Sequence, residues 1–239
     1  MISTDSIKTI SNKQQTTELN IRREYIQHLF LSYFYQQKKT SEVFFKGGTA
    51  LRILYNSPRF SEDLDFSSSL SEIKQIEDAV LDTLKEIERE GLQTEITESK
   101  KTSGGYLAII LFDLADERIK LQFEISLREG EKKGELTTIA GDFVPPYTIM
   151  SLMTEQLVGE KIQALLTRQK PRDFYDLYFM LRANLLTPKE RTILPDVLRT
   201  LKKTDIRFEL ELKLFLPKNH WAIIRDFKST LEREIQRYV

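Results

Sequence analysis

Cysteine is absent from the 239 residues. That excludes disulfide frameworks, thiolate metal sites and a cysteine nucleophile. Histidine is almost absent: His28 and His220 lie far apart, which argues against a zinc site or a histidine-centred triad. Nine glycines and seven prolines are too few for collagen-like or disordered chains. Long apolar runs are missing as well. The longest, Tyr106 to Phe112, is far short of a membrane span, and the polar stretch Met1 to Gln15 lacks the apolar centre of a secretory signal. The expectation is a cytoplasmic protein without membrane association.

What remains is a globular composition, 40% hydrophobic and 30% charged, in a chain long enough to bury a core without staples. The net charge of zero hides a division. Residues 1–149 carry 19 Lys/Arg against 24 Asp/Glu, whereas residues 150–239 carry 17 against 12. An acidic half beside a basic half suits a metal site next to a polyanion platform; scattered surface charge would look the same in composition.

Hydrophobic spacing predicts a long amphipathic helix over Thr17 to Gln37. Val43 to Phe45 predicts a short strand running into Gly47-Gly48, with a helix from Thr49 to Tyr55. A short strand is expected around Leu64 and Phe66. A helix is expected from Ser71 to Glu90, with Ser69 or Ser71 as N-cap and Gly91 as its stop. Strands follow at Gln93 to Glu98 and Tyr106 to Asp113. From Arg118 to Arg128 the sequence alternates: Ile119, Leu121, Phe123, Ile125 and Leu127 share one side, and Glu124 lies on the other. Glu131 to Pro146 reads as loop, and from Met153 onward only helices are expected. The fold class is therefore α/β, a mixed α+β sheet domain over residues 1–145 followed by an all-helical domain over residues 146–239.

The chemistry concentrates in Lys46-Gly47-Gly48-Thr49-Ala50-Leu51 and Arg59-Phe60-Ser61-Glu62-Asp63-Leu64-Asp65-Phe66. A glycine pair that ends a strand and opens a helix lets backbone approach a ligand, and the helix N-terminus offers free N–H groups to a phosphate. Thr49 could add a hydroxyl, or could simply cap the helix. Asp63 and Asp65 are two apart on a strand, so both project from one face, with Leu64 and Phe66 on the other. Two adjacent carboxylates call for a cation, and Mg2+ suits hard oxygen ligands; an exposed acidic edge is the alternative. If the strand bearing Glu124 lies alongside, three carboxylates converge as a two-ion phosphoryl-transfer site requires. Lys161 borders the apolar face of its helix, where it snorkels or meets an anion.

Gly48-Thr49 followed by Asp63-x-Asp65 is similar to the signature of polymerase-β-like nucleotidyltransferases. The longer stretches just quoted, with Ile119 to Ser126 and Arg128-Glu129, then Gly159 to Arg168 and Pro171 to Leu177, resemble more specifically the AbiEii-type nucleotidyltransferase toxins of bacterial abortive-infection and toxin–antitoxin systems. The resemblance implies a polymerase-β-like domain followed by helices. It implies a toxin that transfers a nucleotidyl group from an NTP, with two Mg2+ ions, to an acceptor such as the 3′ end of tRNA, and a neutralising antitoxin encoded nearby. Asp63, Asp65 and Glu124 would be metal ligands and catalytic, with Lys161 reaching a phosphate. Gly47, Gly48, Thr49, Arg59, Ser61, Arg168, Arg172, Asp173 and Asp176 would line the nucleotide site, some of them by pairing with Lys161 or Arg168. Two alternatives remain at this stage: nucleotidylation of a protein hydroxyl, and a non-catalytic module that keeps the fold.

Overall fold

The computed structural model describes residues 1–239 except Ser71, Arg128 and Glu129. In chain order the elements are α1 (Thr4–Gln14), α2 (Glu18–Phe34), β1 (Val43–Lys46), α3 (Gly47–Tyr55), β2 (Asp63–Ser68), α4 (Ile73–Arg89), β3 (Thr94–Thr102), β4 (Gly105–Leu114), β5 (Glu117–Ser126), β6 (Gly134–Ile139) and β7 (Tyr147–Leu152). Helices complete the chain: α5 (Thr154–Arg168), α6 (Pro171–Arg182), α7 (Pro188–Arg191), α8 (Leu194–Lys203), α9 (Phe208–Phe215), α10 (Trp221–Ile224) and α11 (Phe227–Ile235).

The strands form one seven-stranded mixed sheet in the order β3-β4-β5-β2-β1-β7-β6. β2 runs parallel to β5 and antiparallel to β1, and β1 runs parallel to β7. Alternation explains how the sheet holds its central strands. Leu64 and Phe66 of β2 and Ile119, Leu121, Phe123 and Ile125 of β5 are all buried. Phe66 and Phe123 meet at a ring-centroid distance of 4.8 Å, and Phe30 and Phe34 of α2 pack over them. Each buried aromatic or aliphatic side chain contributes roughly 1.5–3 kcal/mol. That layer fixes which way every second residue of β2 and β5 must point.

Beyond Leu152 the helices gather around a second aromatic group. Tyr175, Phe208 and Phe227 belong to it, with Phe208 and Phe227 centroids 5.1 Å apart. One continuous hydrophobic cluster nevertheless runs from Tyr25 to Ile235. No described helix is long and apolar enough to cross a membrane.

Several expectations change here. The stretch expected as loop from Glu131 to Pro146 contains β6, and β7 extends the sheet to Leu152, past the expected division at residues 145 and 146. Two glycines and two prolines in that stretch concealed a local hairpin, β6 antiparallel to β7, which joins the sheet where β7 meets β1. Ser69 does not cap α4; its hydroxyl donates to Glu42. The helix begins at Ile73 without a side-chain cap. Ser71, the other expected cap, lies outside the described residues, as do Arg128 and Glu129.

Candidate functional site

β1 delivers the chain into α3 through Gly47, whose φ is +87°. A Cβ at Gly47 would stand 2.1 Å from Asp65 Oδ2, and one at Gly48 would stand 2.5 Å from Arg59 Nη2 and 2.9 Å from Ser61 Oγ. Both positions therefore need glycine: the first for its backbone conformation and its contact with Asp65, the second for the side chains laid against it. α3 starts without a side-chain cap, which leaves its first N–H groups uncommitted to a side chain. Thr49 departs from its expected place in the nucleotide site. It is wholly buried, and its hydroxyl donates to the Asp63 carbonyl at 2.5 Å, tying the turn to β2.

The parallel pairing of β2 with β5 sets Asp65 opposite Glu124 and Asp63 opposite Gln122, and the antiparallel pairing with β1 sets Lys46 opposite Asp65. Asp63, Asp65 and Glu124 thus share one face, as alternation requires. They do not close into a cage: among the described residues no three carboxylate or histidine side chains converge tightly enough to hold an ion unaided. The expected trio is met in register but not in distance. Its electrostatics are still those of an uncompensated site. Burial, then Asp65 and Glu62, push the Asp63 carboxyl up to about 6, with Glu124 adding to the effect and Arg172 offsetting only part of it.

Across from the carboxylates, α5 and the segment before β6 present cations. Lys46, Lys132, Lys161 and Arg168 line a cleft of about 610 Å3 together with Gly47, Asp65 and Glu160. Glu160 bridges two of the lysines, at 2.6 Å from Lys46 and 3.2 Å from Lys132. These lysines outweigh its burial and hold its carboxyl below the usual range. A larger cavity, about 840 Å3, lies between α1, α2 and residues 142–147. Its walls carry Asp5, Glu90 and Asp142 against Lys13, so it is the wrong sign for a polyphosphate despite its size.

Behind the cleft sits a second charged group of a different kind. Asp176 of α6 accepts from Arg59 Nε at 2.7 Å and Nη2 at 3.0 Å, and from Lys161 Nζ at 2.7 Å. Arg59 also donates to the Phe60 carbonyl. All three residues are buried. Burial alone would raise the Asp176 carboxyl, but Arg59 and Lys161 outweigh it and hold it at about 2. The group bolts the loop before β2 to α5 and α6 and sets the Lys161 ammonium at the cleft wall. Arg59 and Asp176, expected in the nucleotide site, have their hydrogen-bonding groups engaged with one another and act as supports.

Asp173 is likewise buried. It takes a forked contact from Arg168, with Nη2 at 2.7 Å, and accepts from the Lys170 N–H as part of the capping box of α6. Arg172 faces Glu211 of α9 at 3.1 Å, an ion pair whose angles fall short of a hydrogen bond. Ser61 lies against Gly48, and its carbonyl accepts from Gln27. The expected pairings of Asp176 with Lys161 and of Asp173 with Arg168 are present. Lys132 and Glu160 were missed as site residues. Lys132 falls in no local pattern; Glu160 lies inside the quoted Gly159 to Arg168 stretch, beside Lys161, and Lys46 inside the Lys-Gly-Gly-Thr run, but neither was singled out.

Comparison with known proteins agrees with this geometry. Two solved structures resemble the chain. JHP933 from Helicobacter pylori matches at 21% identity with a TM-score of 0.66 over 93% of both chains. A candidate nucleotidyltransferase from H. pylori matches at 20% identity with a TM-score of 0.63, covering 93% of this chain and 95% of that one. At such identities the likeness establishes a shared fold. No protein of curated function matches the chain in sequence. The family model for the nucleotidyl transferase AbiEii toxin of type IV toxin–antitoxin systems matches residues 29–237, nearly the whole chain and every element of the cleft. The chain therefore belongs to the AbiEii family of nucleotidyl transferase toxins.

Proposed function

We propose that this toxin is a Mg2+-dependent nucleotidyltransferase that moves a nucleotidyl group from an NTP onto the 3′ end of tRNA, releasing pyrophosphate and blocking growth or phage propagation. One observation carries the reading. A single cleft sets Asp65, which shares its face with Glu124 and with Asp63, itself raised to about 6, against the cations Lys46, Lys132, Lys161 and Arg168. A nucleoside triphosphate with bound Mg2+ brings the cation that the carboxylates lack and phosphates that the basic wall can hold.

The donor set fits that metal. Asp63, Asp65 and Glu124 offer only hard oxygens, and two carboxylates plus substrate phosphates are a normal Mg2+ environment, so a closed protein cage is not needed. When bound, Mg2+ ions polarise the phosphoryl oxygens and offset the charge that departs with pyrophosphate. The rest falls to the chain. Gly47 and Gly48 admit the phosphates to the N–H groups of α3. Lys46, Lys132, Lys161 and Arg168 hold the triphosphate extended, and the Arg59–Asp176 pair keeps Lys161 in place. In the transfer, the acceptor hydroxyl oxygen bonds to the α-phosphorus as the bond to the bridging oxygen of the β-phosphate breaks. The hydroxyl proton leaves to Glu124, which is exposed to solvent.

The excess of basic residues over positions 150–239 supports an RNA acceptor, since phosphate contacts dominate such binding. The reading includes a cognate antitoxin and action in the cytoplasm. The test is purified protein with Mg2+, each labelled NTP in turn, and total RNA or protein acceptors, resolved by size. Label in an RNA of tRNA size is expected. Label confined to protein would replace the acceptor, and neither transfer nor a thermal shift with millimolar Mg2+–NTP would overturn the reading.

A further inference from the structure

The cleft does not end at the basic wall. A second lobe of about 490 Å3 opens beside it and shares Lys46, Asp65 and Ser126 with the first. Its lining differs in kind. Thr102, Ser103 and Gly104, from the turn between β3 and β4, face Glu124 and Ser126 across it. Among the described residues Lys46 is its one cation, and that ammonium is already engaged by Glu160. A triphosphate entering this lobe would meet Asp65 and Glu124 with little to offset them. A neutral ligand rich in hydrogen-bonding groups would meet three hydroxyls and two accepting carboxylates instead.

The turn is also a built element. β3 ends at Thr102 and β4 begins at Gly105, so the connection is the two residues Ser103 and Gly104. Gly105 pairs with Ser126, and a Cβ there would stand 1.8 Å from the Ile125 carbonyl oxygen. The Leu127 N–H donates to the Gly104 carbonyl at 2.8 Å. The turn is thereby held down on β5 next to Ser126. Thr102 and Ser126 are half-buried and Ser103 is exposed, and all three line the lobe.

We propose that this second lobe binds the nucleoside half of the incoming NTP, and that Thr102, Ser103 and Ser126 select its base and ribose. The inference rests on the nucleotidyl-transfer reading above. The continuity of the two lobes supports it: with the β- and γ-phosphates among Lys132, Lys161 and Arg168, the α-phosphate falls at the Lys46–Asp65 junction, and the nucleoside, which carries no charge, continues into the second lobe. The turn and Ser126 discriminate among bases through donors and acceptors that rotate to suit.

The probe that separates the lobes is inorganic tripolyphosphate, which has phosphates and no nucleoside. Calorimetric titration of the full chain with Mg2+–NTP and with Mg2+–tripolyphosphate is compared for wild type, a Thr102→Ala/Ser103→Ala double variant and Ser126→Ala. Each lost hydroxyl contact should weaken NTP binding about three- to tenfold and narrow the preference among the four NTPs, leaving tripolyphosphate affinity unchanged. The Ser126 variant leaves every residue of the turn unchanged, so a matching loss in it is not the result of a turn that merely misfolds. Unchanged NTP affinity and preference in both variants would overturn the proposal. So would an equal loss of tripolyphosphate binding, or a rise in KM for the acceptor alone. If wild type binds neither NTP nor tripolyphosphate, the nucleotidyl-transfer reading itself has failed, a result distinct from all of these.

Discussion

Two charged groups lie side by side in this protein and have opposite electrostatic characters. Around Asp176, one carboxylate is satisfied by Arg59 and Lys161 in a fully buried triad and is held at about 2. Around Asp63, carboxylates gather without sufficient cation, and the central one is raised to about 6. Burial raises both; compensation separates them. A buried and satisfied charge marks a fastener, whereas a partly buried and unsatisfied one marks a place that awaits a ligand.

The largest expected effect breaks the unsatisfied group. Asp63→Asn/Asp65→Asn should lower nucleotidyl transfer by about a thousandfold or more and abolish growth arrest, since removing preorganised charge at a phosphoryl centre costs that much. The same change should raise stability without ligand by about 1–2 kcal/mol, a figure already reduced for the partial exposure of Asp63. Labelled-NTP transfer and urea melts measure the two effects. A variant that is both inactive and less stable would contradict the contrast.

Breaking the satisfied group should do the reverse. Asp176→Ala strands two buried cations and should cost about 3–5 kcal/mol in chemical denaturation. Gly47→Ala falls between the two groups. It forces a side chain at a positive φ into the Asp65 carboxylate and should cost about 1–3 kcal/mol together with most of the activity.

pH sharpens the contrast further. His28 is buried, and burial and then Arg52 hold it at about 4 against an ordinary 6.5. The unfolded chain therefore takes up that proton first, so stability should fall by about 2–3 kcal/mol as pH drops from 6.5 to 4, and His28→Gln should flatten the slope. Asp63 has the opposite sign: raised from 3.8 to about 6, it lowers stability as pH rises through that window. Urea melts across pH 4–7 on His28→Gln and on Asp63→Asn alone separate the contributions. At the bottom of the scale, Lys202→Ala, which removes an exposed pair with Glu232, should change stability by less than about 0.5 kcal/mol.

The parts of the fold legible in sequence were those with a local period. β5 announced itself by alternation, α2 by its apolar stripe, and the shared face of Asp63 and Asp65 by their spacing. β7 was not legible, because its partner β1 is remote in the chain and Pro145 and Pro146 stand at its start. The register that puts Glu124 beside Asp65 was a condition the sequence could state but not decide. Lys132 and Glu160 were invisible because nothing nearby in sequence ties either to the glycine turn. The Arg59–Asp176 pair joins residues far apart in the chain, so spacing alone could suggest that Asp176 seeks a cation but not which one.

The parallel pairing of β1 with β7 has a consequence for how the protein is made. Phe45 gains its neighbour Ser151 only after the chain between them has been synthesised, and Lys161 and Asp176 emerge later still. A ribosome-bound fragment that stops short of α6 carries the glycine turn, both aspartates and the four basic residues, yet lacks Asp176, the carboxylate that fixes Lys161 and Arg59. The basic wall is therefore held in its final place only after α6 has been made and docked.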